Sequence, residues 1–195
     1  MQMLLAAKEK LSGMASGEIA RATGFTWDGK GFNSATLGVP FQINWPELEL
    51  SPPLEMWHCL TILQYMAGAK EIPLTGHYIS LCDFQEGGLV RGSSFDREND
   101  SLLRIIGKSS GEAIQNAAAE LGGAVIPGKA DLSIRFLFLP KFPMVLNLWL
   151  EDEDFPASGK VLLDAAAENF LQVETAGTAT GILLAKLLSI VKQIV

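Results

Sequence analysis

The chain has 195 residues, 48% of them hydrophobic, which is enough to bury a sizeable core within one domain. Its net charge is −7 and Lys and Arg form no cluster, so an electrostatic nucleic-acid binder is excluded and docking on an anionic membrane is disfavoured. Two cysteines provide no disulfide framework, and the first ten residues do not resemble a signal peptide. We therefore expect a reduced, cytoplasmic protein.

The N-terminal part is predicted to contain one helix followed by a pair of antiparallel strands. Met3–Ala22 repeats apolar residues at helical spacing, although Gly13 weakens that helix. Strands are predicted over 24–28 and 32–44, because β-branched and aromatic residues there flank the turn Gly29–Gly31.

A second long helix is predicted to start at Ser51–Pro53 and to end near Ala67, because proline is tolerated in the first turn of a helix. Cys59 and Leu63 lie in its apolar stripe and are expected to be buried. His58 falls about 100° away, on the face expected to be polar.

The four soft metal ligands of the chain, His58, Cys59, His77 and Cys82, fall within 25 residues and raise the question of a zinc site. Neighbouring residues of a helix point in different directions, and zinc ligands are normally spaced two to four residues apart. A buried structural Cys59 is therefore favoured over a zinc ligand.

The C-terminal part is predicted to combine helices with a hairpin. Helices are expected over Phe95–Ile106 and Gly111–Leu121, and an amphipathic helix with an apolar face is expected over Leu183–Ile194. Asp131–Leu139 alternates between polar and apolar residues, and it is expected to pair with Met144–Leu150 as an antiparallel hairpin. Helices beside antiparallel hairpins predict an α+β fold, with one domain over the whole chain.

Two motifs that would indicate catalysis fail on inspection. Gly107-Lys108-Ser109 looks like the end of a phosphate-binding P-loop, but Leu102 occupies the position of the required glycine, and the segment lies between two predicted helices. No serine lies in a GxSxG turn, and the chain has only two histidines, so a Ser-His-Asp triad is not indicated.

The most informative segment is the acidic block Glu151–Asp154, which follows an apolar strand and ends at Phe155-Pro156. Four adjacent carboxylates repel one another and need water or a cation to screen them. Asp152, Asp154 and Asp164 are the candidate ligands for a divalent cation such as Mg²⁺ or Ca²⁺, although the EF-hand pattern is absent. A solvated connection is the favoured interpretation, and a cation site is the alternative.

Five segments, taken in their order along the chain, carry a resemblance to a known family: ILQYMAGA at Ile62–Ala69, IPLTGHYIS at Ile72–Ser80, DFQEGG at Asp83–Gly88, LGG at Leu121–Gly123 and WLEDEDFPASGKVLLDAAAENFL at Trp149–Leu171. Over residues 27–171 the chain resembles a bacterial and archaeal family known as domain of unknown function DUF3786.

The resemblance implies a metabolic setting for the protein but no particular activity. Members of the family stand alone or are joined to small iron–sulfur-binding modules, mostly in anaerobes with corrinoid and one-carbon metabolism. The cysteine cluster of the companion module is missing here, so no iron–sulfur cluster is expected in this chain. Gln64-Tyr65 stands where the family often has His-Tyr, which weakens the case for histidine chemistry at that point.

Two functions remain open. The first is a non-catalytic accessory protein that binds a small molecule, cofactor or protein partner in a cleft beside the hairpin, with His77, Tyr78, Asp131 and Arg135 as candidate pocket residues. The second is a divalent-cation-dependent enzyme that uses the acidic block, with His77 as the base, because histidine exchanges protons near neutral pH. The apolar face of the last helix is expected in the core, with a homodimer interface as the alternative.

Overall fold

Helices pack around two antiparallel sheets in the part of the chain that the computed structural model describes, residues 2–85 and 94–194. The helices there are α1 Gln2–Ser12, α2 Ser16–Thr23, α3 Met56–Gly68, α4 Ser94–Ile106, α5 Gly111–Glu120 and α6 Val173–Ile194. The strands are β1 Thr26–Trp27, β2 Gly31–Thr36, β3 Val39–Asn44, β4 Leu50–Ser51, β5 Tyr78–Ser80, β6 Ala124–Val125, β7 Leu132–Leu139, β8 Phe142–Trp149 and β9 Ser158–Asp164. The predicted α+β class is confirmed.

The two sheets differ in how far apart their strands lie in the chain. The first has the order β1-β2-β3-β4, so each strand pairs with its neighbour in sequence. The second has the order β5-β9-β8-β7-β6 and includes the predicted hairpin of β7 and β8, with Ile134 opposite Leu146. A backbone hydrogen bond of 3.1 Å from Leu37 N–H to the Leu137 carbonyl links the sheets.

Alternation along β7 explains which face of the second sheet is buried. Ile134, Phe136 and Phe138 are fully buried, whereas Arg135 between them is exposed. The buried face belongs to one hydrophobic core that also includes the large apolar residues of α6. Ser133 departs from the simple pattern, since it lies on the face of Arg135 and is nevertheless buried.

The predicted helix over Met3–Ala22 is wrong in one respect, because it is two helices. α1 ends at Ser12 and α2 begins at Ser16, and Ala15 between them is extended, with φ −74° and ψ 136°. Gly13 lies in this break, and glycine is costly inside a helix, so the chain turns there.

The predicted start and faces of α3 also need correction. Ser51 pairs with Gln42 in the first sheet, and the helix begins at Met56. Leu63 is buried as expected, but His58 is only 2% exposed, whereas Cys59 is half-buried. The helix buries more than one face, and a prediction from a single stripe therefore placed His58 wrongly.

α6 is longer than the predicted Leu183–Ile194 and, with 22 residues, is the longest helix among the described residues. By length and composition alone it would be able to cross a membrane, but 56% of its most apolar window is buried within the molecule. A core helix has these same properties, so the helix is only weak evidence for a membrane span. Leu183, Leu184 and Leu187 are fully buried, as the amphipathic pattern predicts.

Candidate functional site

The predicted acidic block forms an exposed turn after β8. Asp152 organises this turn, because its Oδ1 accepts hydrogen bonds from the N–H groups of Asp154 at 2.9 Å and Phe155 at 2.7 Å. Glu151 lies 3.7 Å from the Nζ of Lys108. All four carboxylates of the block are exposed, so water screens their mutual repulsion.

Two of the predicted site residues, Asp131 and Asp152, line one open cleft of about 650 Å³, which we call the acid cleft. It lies at the end of the β7–β8 hairpin away from the hairpin turn. Trp149 and Phe155 also line it and are 38% and 70% exposed. Oδ2 of Asp131 accepts a hydrogen bond of 2.9 Å from Leu150 N–H, which ties the start of one strand to the end of the other.

Asp164 lies elsewhere, and its carboxylate is fully engaged within the fold. This buried group accepts hydrogen bonds from Thr75 N–H at 3.0 Å, Thr75 Oγ1 at 2.8 Å, Gly76 N–H at 2.7 Å and Ala166 N–H at 2.8 Å. Burial alone would raise the pKa of Asp164, but these hydrogen bonds outweigh burial and hold its pKa below the ordinary value. The carboxylate therefore anchors the segment that leads into β5.

The other candidates lie near Asp164 rather than in the acid cleft. His77 is exposed, and Tyr78 pairs with Asp164 across β5 and β9. Burial raises the pKa of Tyr78, the charge of Arg135 opposes that rise, and the charge of Asp164 adds to it. Asp164 and Ser158 are the two ends of β9, which places this group about 20 Å from the acid cleft. Within the described residues, no three or more His, Cys, Asp or Glu side chains are placed to hold a metal ion.

An apolar cavity that the sequence analysis did not predict lies between three helices. This helix groove has a volume of about 640 Å³, with α6 as its floor and the start of α3 and the middle of α4 as its walls. Trp57 forms part of one wall and is 56% exposed. The groove is lined by Glu55, Trp57, Glu98, Asn99, Leu102, Thr178, Gly181, Ile182, Ala185, Lys186 and Ser189.

The spacing of small residues on α6 explains why the groove is open. Thr178, Gly181, Ala185 and Ser189 recur every three or four residues, so they lie on one face of the helix. Space remains at Gly181, because among the described atoms a Cβ there would approach only Asn99 Oδ1, at 3.5 Å. The large leucines of α6 lie on its other faces and fill the core.

Charged side chains lie around this apolar floor. Glu55 and Glu98 come from the two walls, and Lys186 comes from the floor. Behind the groove, burial and then the charge of Lys186 lower the pKa of His58 to about 4. His58 is therefore neutral at pH 7, with its Nε2 at 2.8 Å from Thr36 Oγ1.

Only one sequence signal would have pointed to the helix groove. The last helix carries two kinds of face, one with large apolar residues and one with small residues, and only the first was used to predict packing. Trp57 and Leu102 come from other helices, and their positions beside α6 depend on tertiary structure.

A family model described as domain of unknown function DUF3786 matches residues 16–186, which is most of the chain. The chain belongs to the DUF3786 family. Comparison with curated proteins and with solved structures finds no match. The DUF3786 match is wider than the resemblance over 27–171 and contains all of the acid cleft and every groove residue except Ser189. Of the five resembling segments, residues 86–88 lie outside the described part of the chain.

Proposed function

We propose that this DUF3786 protein is a non-catalytic accessory protein that binds a small molecule with an apolar body and an anionic end. The helix groove is the observation that supports this proposal, because it combines an apolar floor, an exposed tryptophan and few charged groups. Small-molecule sites are typically concave cavities of several hundred Å³ with an apolar lining and a few polar groups that orient the ligand.

The groove offers a separate interaction to each end of such a ligand. An apolar ring or chain placed against Trp57 and Leu102 would remove their exposed surface from water, at roughly 25 cal/mol per Å². Lys186 makes no ion pair with any other described residue, so its ammonium group is available to an anionic ligand group. A role beside corrinoid or one-carbon redox enzymes is part of the proposal, and it rests on the family resemblance alone.

The proposal is tested with 1-anilinonaphthalene-8-sulfonate, a fluorescent probe that has an apolar ring system and one anionic group. The wild-type protein should bind it saturably, with one site per chain. Ala185→Phe places a large ring in the groove from an exposed floor position, so it should weaken binding by about tenfold or more. Lys186→Gln should weaken it by a smaller factor, because only the ionic contact is lost.

Gln193→Phe is the matched control, since it adds the same ring at an exposed position of α6 outside the groove. This variant should bind the probe as the wild type does. Far-ultraviolet circular dichroism of each variant verifies that the fold is retained. Equal binding by Ala185→Phe and the wild type would refute the groove as the binding site.

One observation favours divalent-cation-dependent chemistry as a second candidate: Asp131 and Asp152 line the same cleft. Each of them has one carboxylate oxygen that makes no hydrogen bond to a described residue. The base proposed for this chemistry, His77, lies at the far end of β9, about 20 Å away by the length of the strand. Binding without catalysis is therefore the better supported function.

A further inference from the structure

A smaller polar cavity of about 180 Å³, which we call the edge pocket, opens where β5 stops pairing with β9. The last pair of that ladder is Ser80 opposite Leu162, and the chain then leaves the sheet in a 3-10 turn over Leu81–Asp83. α4 lies beside the vacated edge, and its Leu103 forms part of the apolar lining together with Val161.

The backbone of β9 has hydrogen-bonding groups at this vacated edge. Ala165 N–H donates to the His77 carbonyl at 2.8 Å, which identifies the residues whose backbone groups point toward β5. Every second residue of a strand does so, and the series therefore continues through Leu163 and Val161 to Gly159. Gly159 lies beyond the last pair with β5, so its N–H and carbonyl have no strand partner on that side among the described residues.

Two residues of opposite charge line the edge pocket without forming an ion pair with each other. Lys160 comes from β9 and Asp100 from α4, and both side chains are exposed. Neither forms an ion pair with the other or with any other described residue. A cation and an anion held apart across one cavity favour a ligand that carries both signs of charge, because a ligand of one sign would satisfy only one of them.

Neutral polar groups complete the lining. The Oγ of Ser80 accepts a hydrogen bond of 3.4 Å from Cys82 N–H, and its own hydrogen remains available to an acceptor. Thr180 is only 6% exposed, and its hydroxyl donates to the Ala176 carbonyl at 3.1 Å, so its lone pairs remain available to a donor. The Asn99 amide supplies one further donor group and one acceptor.

We propose that the edge pocket binds a small zwitterion of the α-amino-acid class. The ligand carboxylate is bound by Lys160, the Ser80 hydroxyl and the Gly159 N–H. The ligand ammonium group is bound by Asp100 and by the hydroxyl oxygen of Thr180. The edge pocket, at about 180 Å³, is much smaller than the helix groove, which favours a small ligand such as alanine.

Isothermal titration calorimetry with three ligands tests the proposal: alanine, alaninamide, which lacks the carboxylate, and N-acetylalanine, which lacks the ammonium group. The wild type should bind alanine at least about tenfold more tightly than either analogue, since each analogue loses one charge-assisted hydrogen-bond group. Lys160→Gln should abolish the preference over alaninamide, and Asp100→Asn should abolish the preference over N-acetylalanine.

Three control variants separate this site from general charge effects and from the helix groove. Lys108→Gln and Glu120→Gln change the same kinds of charge at exposed positions outside the pocket, and Ala185→Phe fills the groove. All three should bind alanine as the wild type does. The proposal is overturned if the wild type shows no saturable binding up to about 10 mM alanine. It is equally overturned if the Lys160 and Asp100 variants weaken all three ligands by the same factor.

Discussion

His58 is a neutral side chain held between the two sheets. Its Nε2 lies 2.8 Å from Thr36 Oγ1 on the first sheet, and its ring stacks on Phe138 of the second sheet with centroids 5.2 Å apart. Burial first, and then the charge of Lys186, lower its pKa to about 4. A proton on this ring would place a charge in the core without an opposite charge to compensate it.

We expect the free energy of unfolding to fall as the pH is lowered from about 6.5 to about 4. The pKa of His58 is about 4 in the folded protein against an ordinary 6.5, so over this range the unfolded chain binds the proton and the folded chain does not. The full difference corresponds to about 3 kcal/mol. Urea denaturation at several pH values measures it, and His58→Gln should lose most of this dependence. Parallel pH curves for the two proteins would contradict the assignment.

Leu63 lies at the centre of α3 and is only 1% exposed, as the helical periodicity predicted. We expect Leu63→Ala to lower the free energy of unfolding by about 2–5 kcal/mol, because a cavity would remain in the core. Leu5→Ala makes the same truncation at a leucine that is 60% exposed, and it should cost less than about 0.5 kcal/mol. Chemical denaturation measures both values, and a similar cost for the two variants would count against the core position of Leu63.

Alternation and helical periodicity predicted the elements that bury one clear face. The hairpin of β7 and β8 and the helices α4 and α5 appear within a few residues of their predicted bounds. β9 was missed, because Gly159 and Lys160 interrupt any apolar alternation at its start. Its strand conformation depends on β8 on one side and on β5, from a distant part of the chain, on the other.

β9 needs a glycine where it pairs with Leu148 of β8. A Cβ at Gly159 would lie 2.9 Å from the Asn147 carbonyl oxygen and 2.8 Å from Leu148 Cδ2. We expect Gly159→Ala to lower the free energy of unfolding by about 1–3 kcal/mol, because backbone must shift to admit the methyl group. Gly111→Ala is the control, since its Cβ would meet only Leu150 Cδ1 at 3.6 Å and Leu132 Cδ1 at 3.8 Å.

Gly111→Ala should be neutral or stabilising, because alanine is favoured over glycine in a helix. Thermal and urea denaturation compare the two glycine variants with the wild type. An unchanged stability of Gly159→Ala would show that β8 and β9 can shift apart at little cost.

The acidic turn after β8 permits a test of the cation hypothesis. In Asp154→Asn we expect an equal or slightly higher Tm and no response to millimolar Ca²⁺ or Mg²⁺, because relief of repulsion is the only effect. Asp152→Ala is the comparison, since it removes the two hydrogen bonds that organise the turn and should cost about 1 kcal/mol. A Tm rise of several degrees with divalent cation in the wild type, lost in Asp154→Asn, would instead favour the cation-dependent enzyme.

The net charge of −7 makes the protein as a whole repel polyanions such as nucleic acids. We expect no shift of duplex DNA in a gel assay at micromolar protein and moderate salt, because the sequence has no basic cluster to displace counterions from phosphate. A salt-sensitive shift under these conditions would contradict the prediction.

The pattern of helices and hairpins predicted the fold class, but the cavities depend on the tertiary structure. The helix groove joins Trp57, Leu102 and Ala185 from three helices that are far apart in sequence. The candidate site residues chosen by residue type do not all lie together. Asp131 and Asp152 line the same cleft, whereas Asp164 lies about 20 Å away, where its carboxylate accepts hydrogen bonds from the loop before β5. The sequence shows which side chains are acidic, but which of them lie close together depends on the order of the strands in the sheet.

That order also has a consequence for synthesis on the ribosome. β5 is the first strand of its sheet to be made, yet its partner among the described strands is β9, the last. Until Ser158–Asp164 has emerged, β5 has no partner strand in the nascent chain. The apolar face of the β7–β8 hairpin is covered later, when α6 has been made and can pack on it. Chains stalled or cut before β9 therefore expose both the unpaired edge of β5 and the apolar face of the hairpin, whereas chains cut between β9 and α6 expose only the apolar face, so β9 and α6 together protect the nascent protein from aggregation.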